Sequence, residues 1–188
     1  YLAAPPQTPR SGMTGEALFN AVGCADCHVA SFTTSNDPSL ESAIRNKVVK
    51  PYSDFLLHEM GLAADFIADG DASVQEIRTP PLWGVRSRNP LWHDGRVTGG
   101  TLLTRMLGPG GVIELHEALG SEAAPSATAF FNLSAADQLR VVDFLDSLGR
   151  AEFDGNGDNV RNRLDLPGII QAATAGTVTA DSPGEVYD

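Results

Sequence analysis

The stretch Cys24-Ala25-Asp26-Cys27-His28 places two thiols three positions apart, with a histidine directly after the second. Thiols at this spacing can each form a thioether with one vinyl group of a haem, and the adjacent imidazole can then bind the iron from one side. The stretch therefore predicts one covalently attached haem c. A bound haem would supply one-electron transfer or the activation of a small oxidant at its iron.

Three other interpretations of these residues are weaker. A thioredoxin-like Cys-x-x-Cys follows a strand and begins a helix, whereas this one ends a predicted helix. A zinc site requires four ligands, and the chain has no second cysteine pair. A disulfide between Cys24 and Cys27 would close a very small loop and leave His28 without a role. Haem attachment gives all three residues a function.

A short helix is predicted immediately before the attachment stretch. Thr14 is a suitable N-cap, and Glu16 places a carboxylate in the first turn, where the helix dipole favours it. Gly23 can end the helix and let the backbone run close to a haem. The apolar stripe of this helix consists of Ala17, Leu18, Ala21 and Val22.

The clearest helix in the sequence runs from Ser134 to Leu148. Ser134 and Asp137 form a box-like start, and Gly149 can end the helix. Its apolar face consists of Val141, Val142, Leu145 and Leu148. We therefore expect an all-α fold, a cytochrome c-like haem domain in which the two helices pack across each other, with long loops and a C-terminal extension.

The 188 residues divide into three parts. Residues 1–12 predict an extended N-terminal arm, residues 13–149 the cytochrome c-like mono-haem domain, and residues 150–188 an acidic and then Ala/Thr-rich extension. No apolar run is long enough to cross a bilayer. No signal peptide is visible at the start of the chain. Because bacteria attach haem covalently outside the cytoplasm, we expect a periplasmic or secreted protein, either already processed or a fragment of a longer chain.

The formal net charge is −11. It argues against a nucleic-acid partner, because nucleic-acid binding requires a basic surface. It suits long-range steering towards a basic redox partner protein. Solubility alone is the alternative explanation for the charge.

Residues 154–165 carry oxygen ligands at the spacing of a calcium loop. Such a loop uses side chains at positions 1, 3, 5, 9 and 12 and a backbone carbonyl at position 7. The stretch resembles the loop of dockerin modules, with Asn159 in place of the glycine at position 6, and the alternative is a solvated acidic turn. The predicted Ca²⁺ ligands are Asp154, Asn156, Asp158, Val160 through its carbonyl, Asn162 and Asp165.

Taken together, the motifs resemble the C-terminal haem domain of the bacterial di-haem oxidoreductase family, a thiol oxidoreductase-like group related to the di-haem cytochrome c peroxidases. The matching segments keep their order and spacing over most of residues 13–149. Besides the attachment stretch, they are Gly15–Phe19, Tyr52–Gly61, Gly70–Ser73, Arg78–Gly84, His93–Arg96, His116 and Gly120–Ala123.

The resemblance implies an oxidoreductase with one haem in each of two domains, whereas this chain has one attachment motif. The first haem domain lies on another chain, or has been lost or removed, or the protein is a mono-haem descendant. In the family, peroxidase activity belongs to the other haem. The leading expectation is a periplasmic c-type cytochrome that transfers electrons through a single haem. The alternatives are the haem unit of a di-haem oxidoreductase or peroxidase-like enzyme, and a structural haem-bearing subunit of a multi-haem complex.

The second axial ligand of the haem iron is implied by the resemblance. In the closer relatives, a histidine followed by a Gly-Glu-Ala-like stretch stands after the His-Asp-Gly segment, and His116 fits this position. Met106 and Met60 are alternatives. A thioether ligand would raise the redox potential relative to imidazole. The other candidates are His58, which could instead bond a propionate or a backbone carbonyl, and His93, which could instead stabilise a turn.

Two arginines and two tryptophans lie in segments that resemble haem-packing loops. Arg78 and Arg96 could each bind a haem propionate through the guanidinium fork, or form a surface salt bridge instead. Trp83 and Trp92 could flank the haem and relay electrons, or pack in the core as large apolar side chains.

Overall fold

The computed structural model describes residues 14–68 and 70–148, and these ranges contain five α-helices and four short strands. The helices are α1 (Thr14–Ala21), α2 (Leu102–Leu107), α3 (Val112–His116), α4 (Ala124–Phe131) and α5 (Ala135–Ser147). The strands are β1 (Phe32–Thr33), β2 (Val48–Val49), β3 (Leu57–Glu59) and β4 (Glu76–Arg78). Short 3₁₀ turns lie at Cys24–Asp26, Gly61–Ala63 and Val85–Ser87.

Helices α1 and α5 pack across each other, as expected, and form the frame of the domain. Gly15 lies at their crossing, because a Cβ at this position would overlap the carbonyl of Arg140 and lie 2.9 Å from Cβ of Phe144. Helix α5 is confirmed, and the Ser134 hydroxyl accepts a hydrogen bond from the backbone N–H of Asp137 at 3.2 Å. The four predicted core positions are all buried, three of them within α5 and the fourth, Leu148, directly after its last residue.

The expectation of an all-α fold is wrong, because the long segment between α1 and α2 contains two small antiparallel sheets. In the first sheet, Phe32 pairs with Val49, and in the second, Leu57 pairs with Arg78. A long segment without helices must still satisfy its backbone N–H and C=O groups. Short extended pairs do this where the chain folds back on itself.

Tyr52 connects this loop segment to the helical frame. Its ring packs edge-on against Phe19 of α1 and Phe144 of α5, with centroid separations of 6.4 and 5.5 Å. Its hydroxyl donates a hydrogen bond to Glu16 at 3.1 Å. These contacts fix the backbone of Tyr52 beside the attachment stretch.

Several predictions from the sequence lie outside the described residues. They are the N-terminal arm at residues 1–12, the helix end at Gly149 and the extension at residues 150–188, which includes the calcium ligands predicted within residues 154–165. The domain limits and the calcium site therefore stay predictions. None of the described helices combines the length and the apolar composition needed to traverse a bilayer.

Candidate functional site

A cavity of about 550 Å³ lies between the attachment stretch and the helices α2, α3 and α4. Its volume falls within the range of about 300–1,000 Å³ that is typical of cofactor sites. The cavity brings together residues from distant parts of the sequence that were predicted to bind haem. Its wall includes Cys24, Cys27, His28, Met60, Met106 and His116.

His28 is oriented by the backbone of Tyr52. Its Nδ1 lies 3.0 Å from the Tyr52 carbonyl oxygen, and since a carbonyl only accepts, Nδ1 carries the proton and Nε2 the lone pair. Tyr52 has φ of +51°, a left-handed conformation that is unusual for a bulky residue. Burial and, to a lesser degree, the charges of His116 and His58 lower the pKa of His28 to about 4. The ring is therefore neutral at neutral pH, as metal binding requires.

His116 lies in the last turn of α3 and is oriented in the same way. Its Nδ1 donates a hydrogen bond to the carbonyl oxygen of Val112 at 2.7 Å. Burial lowers the pKa of His116, so this imidazole is also neutral at neutral pH. The ring of Trp92 packs edge-on against it, with centroids 5.1 Å apart.

His28 and His116, here called the ligand pair, have ring centroids 6.5 Å apart and ring planes inclined by 51°. Two imidazoles bonded to opposite sides of one metal ion, each through a nitrogen at about 2 Å, have centroids roughly 6 Å apart. Metal-binding histidines usually donate their other ring N–H to a carbonyl or carboxylate, as both members of the pair do. The residues of this cavity therefore fit a haem iron with two histidine ligands.

The two methionine alternatives are core side chains that also contribute to the cavity wall. Met106 is 3% exposed and packs in the main hydrophobic core. Met60 is also buried, and its sulfur accepts a weak hydrogen bond from the Ser121 hydroxyl at 3.9 Å. The spacing and orientation of the ligand pair favour His116 over either thioether.

The two cysteine thiols have raised pKa values. Burial raises the pKa of Cys24 to about 11, and burial together with the nearby carboxylates of Asp54, Glu122 and Asp26 raises the pKa of Cys27. Thiols in thioredoxin-like redox sites have lowered pKa values, because the thiolate is the reactive form. Their protonated state argues against a thiol–disulfide role and agrees with the haem-attachment interpretation.

The arginines predicted to bind propionates have different environments. Arg78 lies on the cavity wall. Arg96 instead forms an ion pair with Asp94, with Nε 2.7 Å from the carboxylate oxygen. Sequence reasoning missed Arg88, which lies on the cavity wall and donates a hydrogen bond to the Trp83 carbonyl at 2.6 Å. Burial lowers the pKa of Arg88, and a propionate would compensate the buried charge.

The tryptophans and His93 also divide between the cavity and the surrounding fold. Trp92 lies on the wall, and its indole N–H donates to the carbonyl of Ala63 at 3.0 Å. Trp83 has a structural role, because its indole N–H donates to the carbonyl of Lys50. His93 lies on the wall beside Trp92, and its Nε2 is 3.5 Å from a carboxylate oxygen of Asp65.

His58 lies on the cavity wall in β3 and is held by two carboxylates. Its Nε2 is 2.8 Å from Oδ2 of Asp54, and its Nδ1 is 2.8 Å from Oε2 of Glu122. We call these three residues the carboxylate cluster. Nδ1 of His58 is also 3.7 Å from Sγ of Cys27. Potential metal-ligand atoms of Cys27, Asp54 and His58 lie within 4.8 Å of one another, but a thioether bond at Cys27 would remove the thiolate from that set.

The cluster joins two of the segments that carry the family resemblance. Asp54 and His58 belong to Tyr52–Gly61, and Glu122 belongs to Gly120–Ala123. A bridge between Met60 and Ser121 joins the two segments. The acidic residues of these segments were visible in the sequence as possible partners of a histidine, but only the fold shows that Asp54 and Glu122 both contact His58.

Comparisons with known proteins give one family match. A family model described as "Di-haem oxidoreductase, putative peroxidase" matches residues 6–148. A search of curated proteins found no significant match. A search of solved structures likewise found none.

Proposed function

The chain belongs to the di-haem oxidoreductase family, and on that premise we propose that it is a haem-bearing, electron-transferring unit of such an enzyme. It holds one haem c through thioethers at Cys24 and Cys27, with the iron between His28 and His116. The family match favours this enzyme reading over a free-standing carrier.

The observation that carries the proposal is the geometry of the ligand pair. The two ring centroids are 6.5 Å apart on the wall of a cavity that both attachment cysteines also line, and each Nδ1 is hydrogen-bonded to a backbone carbonyl. Rigid ligands limit the rearrangement that accompanies a change of charge. A haem bound here supplies one-electron transfer between ferric and ferrous iron.

The protein residues have separate tasks in this function. The carbonyls of Tyr52 and Val112 hold the two imidazoles in the tautomer that keeps the lone pair, and so the capacity to bind a metal, on Nε2. Arg78 and Arg88 place positive charge on the wall, where carboxylates of the haem can pair with it. With His28 and His116 both bound to the iron, a haem at this site would supply electron transfer and would not activate an oxidant.

Spectroscopy of the haem-loaded protein tests the proposal. We expect a pigment that stays with the protein in acidified organic solvent and a low-spin ferric spectrum typical of two imidazole ligands. His116→Ala is expected to give a high-spin form that binds cyanide rapidly, whereas Met106→Leu and Met60→Leu keep the low-spin spectrum. A methionine-to-iron charge-transfer band in the near infrared would overturn the assignment of His116.

A single-haem electron carrier is the second candidate function. The observation in its favour is that the chain contains two cysteines, enough for one haem. Native mass spectrometry separates the two candidates, because the enzyme unit is expected to associate in fixed ratio with a second haem-bearing domain or chain. A monomer with one haem and no such partner would favour the carrier.

We also propose a cellular location and a kind of partner for the protein. Covalent haem attachment supports a periplasmic or secreted location, and the net charge of −11 supports a basic redox partner protein.

From the sequence alone, we also propose that residues 154–165 bind Ca²⁺. Isothermal titration should detect calcium binding, and Asp154→Ala should abolish it. No heat at millimolar calcium would remove that part of the proposal.

A further inference from the structure

His58 stands apart from the ligand pair because both of its ring nitrogens face carboxylates. Asp54 is only 10% exposed at its side chain, whereas Glu122 is 53% exposed and connects the imidazole to solvent. The side chain of His58 itself is 19% exposed. The imidazole is therefore close to water and lies between two anions, an arrangement that can bind and release a proton.

The charged groups around His58 come from every element packed against it. Asp54 precedes β3, and Glu122 precedes α4. Strand β4 contributes Glu76 and Arg78, which flank Ile77, the residue paired with His58. The attachment stretch contributes Cys27, whose sulfur is uncharged both as a protonated thiol and as a thioether, and Asp26, whose charge acts on Cys27. Among these groups, Asp54 and Glu122 carry the charges that favour a proton on His58. His28, which interacts with His58 through charge, is neutral because its pKa is lowered to about 4.

His58 is also close to the position of the proposed haem. Its Nδ1 is 3.7 Å from Sγ of Cys27, the atom that would be bonded to the porphyrin. At the same separation, charges in a protein interior interact more strongly than charges in bulk water. A change of charge at the iron is therefore felt at this imidazole.

We propose that the carboxylate cluster is a proton-binding site coupled to the haem, so that a proton binds to His58 when the iron is reduced and leaves when it is oxidised. When an external one-electron donor delivers an electron, the charge at the iron falls by one. His58 then takes one proton from water and becomes an imidazolium between Asp54 and Glu122. Oxidation reverses both changes, and no other bond forms or breaks.

The protonation equilibrium of His58 supports this assignment. Burial alone would lower its pKa, but the hydrogen bonds and charges of Glu122 and Asp54 outweigh burial and hold the pKa above its ordinary value of 6.5. Hydrogen bonding to His58 in turn lowers the pKa of Glu122, which stays ionised. The two ionised carboxylates therefore stabilise the protonated form of His58.

The test is the midpoint potential of the haem-loaded protein as a function of pH, measured by spectroelectrochemistry. We expect about tenfold tighter proton binding by His58 in the ferrous state. The midpoint potential then falls by about 59 mV in total as pH rises through the pH window between the pKa of His58 in the ferric protein and its higher pKa in the ferrous protein. His58→Gln should remove this dependence. His93→Gln is the matched control, since His93 also borders the cavity but lies beside Asp65 and not within the carboxylate cluster, and it should keep the dependence.

A second variant keeps the test informative if His58→Gln folds poorly. Glu122→Gln removes the exposed carboxylate and is expected to move the pH window to lower values without abolishing it. An unchanged pH dependence in both variants would refute the proton-binding site.

This inference rests on the proposed haem site, and the two fail differently. A protein without covalent low-spin haem would refute the proposed function. Covalent low-spin haem with a pH-independent potential would refute the inference alone.

Discussion

The ligand pair and the carboxylate cluster place the same side chain in two opposite environments on one cavity wall. Backbone carbonyls orient His28 and His116, whereas two carboxylates hold His58. A carbonyl is a neutral acceptor that fixes the tautomer but does not offset burial, so both pKa values fall. Two anionic acceptors do offset burial, so the pKa of His58 rises. The charge of the hydrogen-bond acceptor at the ring thus determines whether a histidine is suited to binding iron or to binding a proton.

The largest effect is expected from breaking the support behind the ligand pair. Phe144 is fully buried and contacts Phe19 and Tyr52, whose carbonyl orients His28. Phe144→Ala should lower the free energy of unfolding by about 3–5 kcal/mol, since it removes a core aromatic ring and leaves a cavity. Urea denaturation measures this loss. Phe131→Ala, at a partly exposed position of α4, is the control, and equal losses in the two variants would contradict the prediction.

The next effect concerns the turn that supports the carboxylate cluster. Gly61 has φ of +53°, and a Cβ there would overlap the backbone of Leu119 and Ser121, next to Glu122. Gly61→Ala should cost about 3 kcal/mol, because left-handed strain adds to overpacking. Gly70→Ala is matched, since Gly70 has φ of +60° but open space around it, and should cost only about 1 kcal/mol. Similar losses would show that strain alone matters and that the turn is not tightly packed.

The two environments should give opposite dependences of stability on pH in a haem-free protein, such as the Cys24→Ala/Cys27→Ala double variant. The folded-state pKa of His28 is about 4, below its ordinary 6.5, so its contribution is present above pH 6.5 and is lost as pH falls. By pH 5 this loss is about 2 kcal/mol. His58 has a raised pKa, so its contribution is present below pH 6.5 and is lost as pH rises through its folded-state pKa.

Urea titrations between pH 5 and pH 8, with and without His58→Gln, measure both slopes. The destabilisation caused by His58→Gln should be largest at the acidic end and decline as pH rises. A constant difference across the range would mean that His58 acts by packing and not by charge.

The sequence predicted which residues meet at the cavity better than it predicted the loops around them. The proposed attachment motif and the capped, amphipathic helix α5 are local patterns, so spacing alone is enough to predict them. His116 could be proposed as a ligand only through the family resemblance, because His28 is distant in sequence and only the fold brings the two ring centroids to 6.5 Å. The small sheets arise from backbone pairing across long loops, for which two-residue strands such as β1 and β2 leave no periodic signal. The contact between Glu122 and His58 could not be predicted either, because the two residues are 64 positions apart and only the fold brings them together.

The smallest expected effect distinguishes the two carboxylates of the cluster. Glu122 is half exposed, so Glu122→Gln should change the free energy of unfolding by less than about 1 kcal/mol, as is usual for exposed ion pairs. Asp54 is mostly buried and also accepts the backbone N–H of Leu56 at 2.9 Å, so Asp54→Asn should cost more. Both substitutions should nevertheless lower the pKa of His58, measured by NMR titration of its imidazole in the haem-free variant. A lowered pKa with unchanged stability in Glu122→Gln would show that this carboxylate tunes the proton affinity of His58 without supporting the fold.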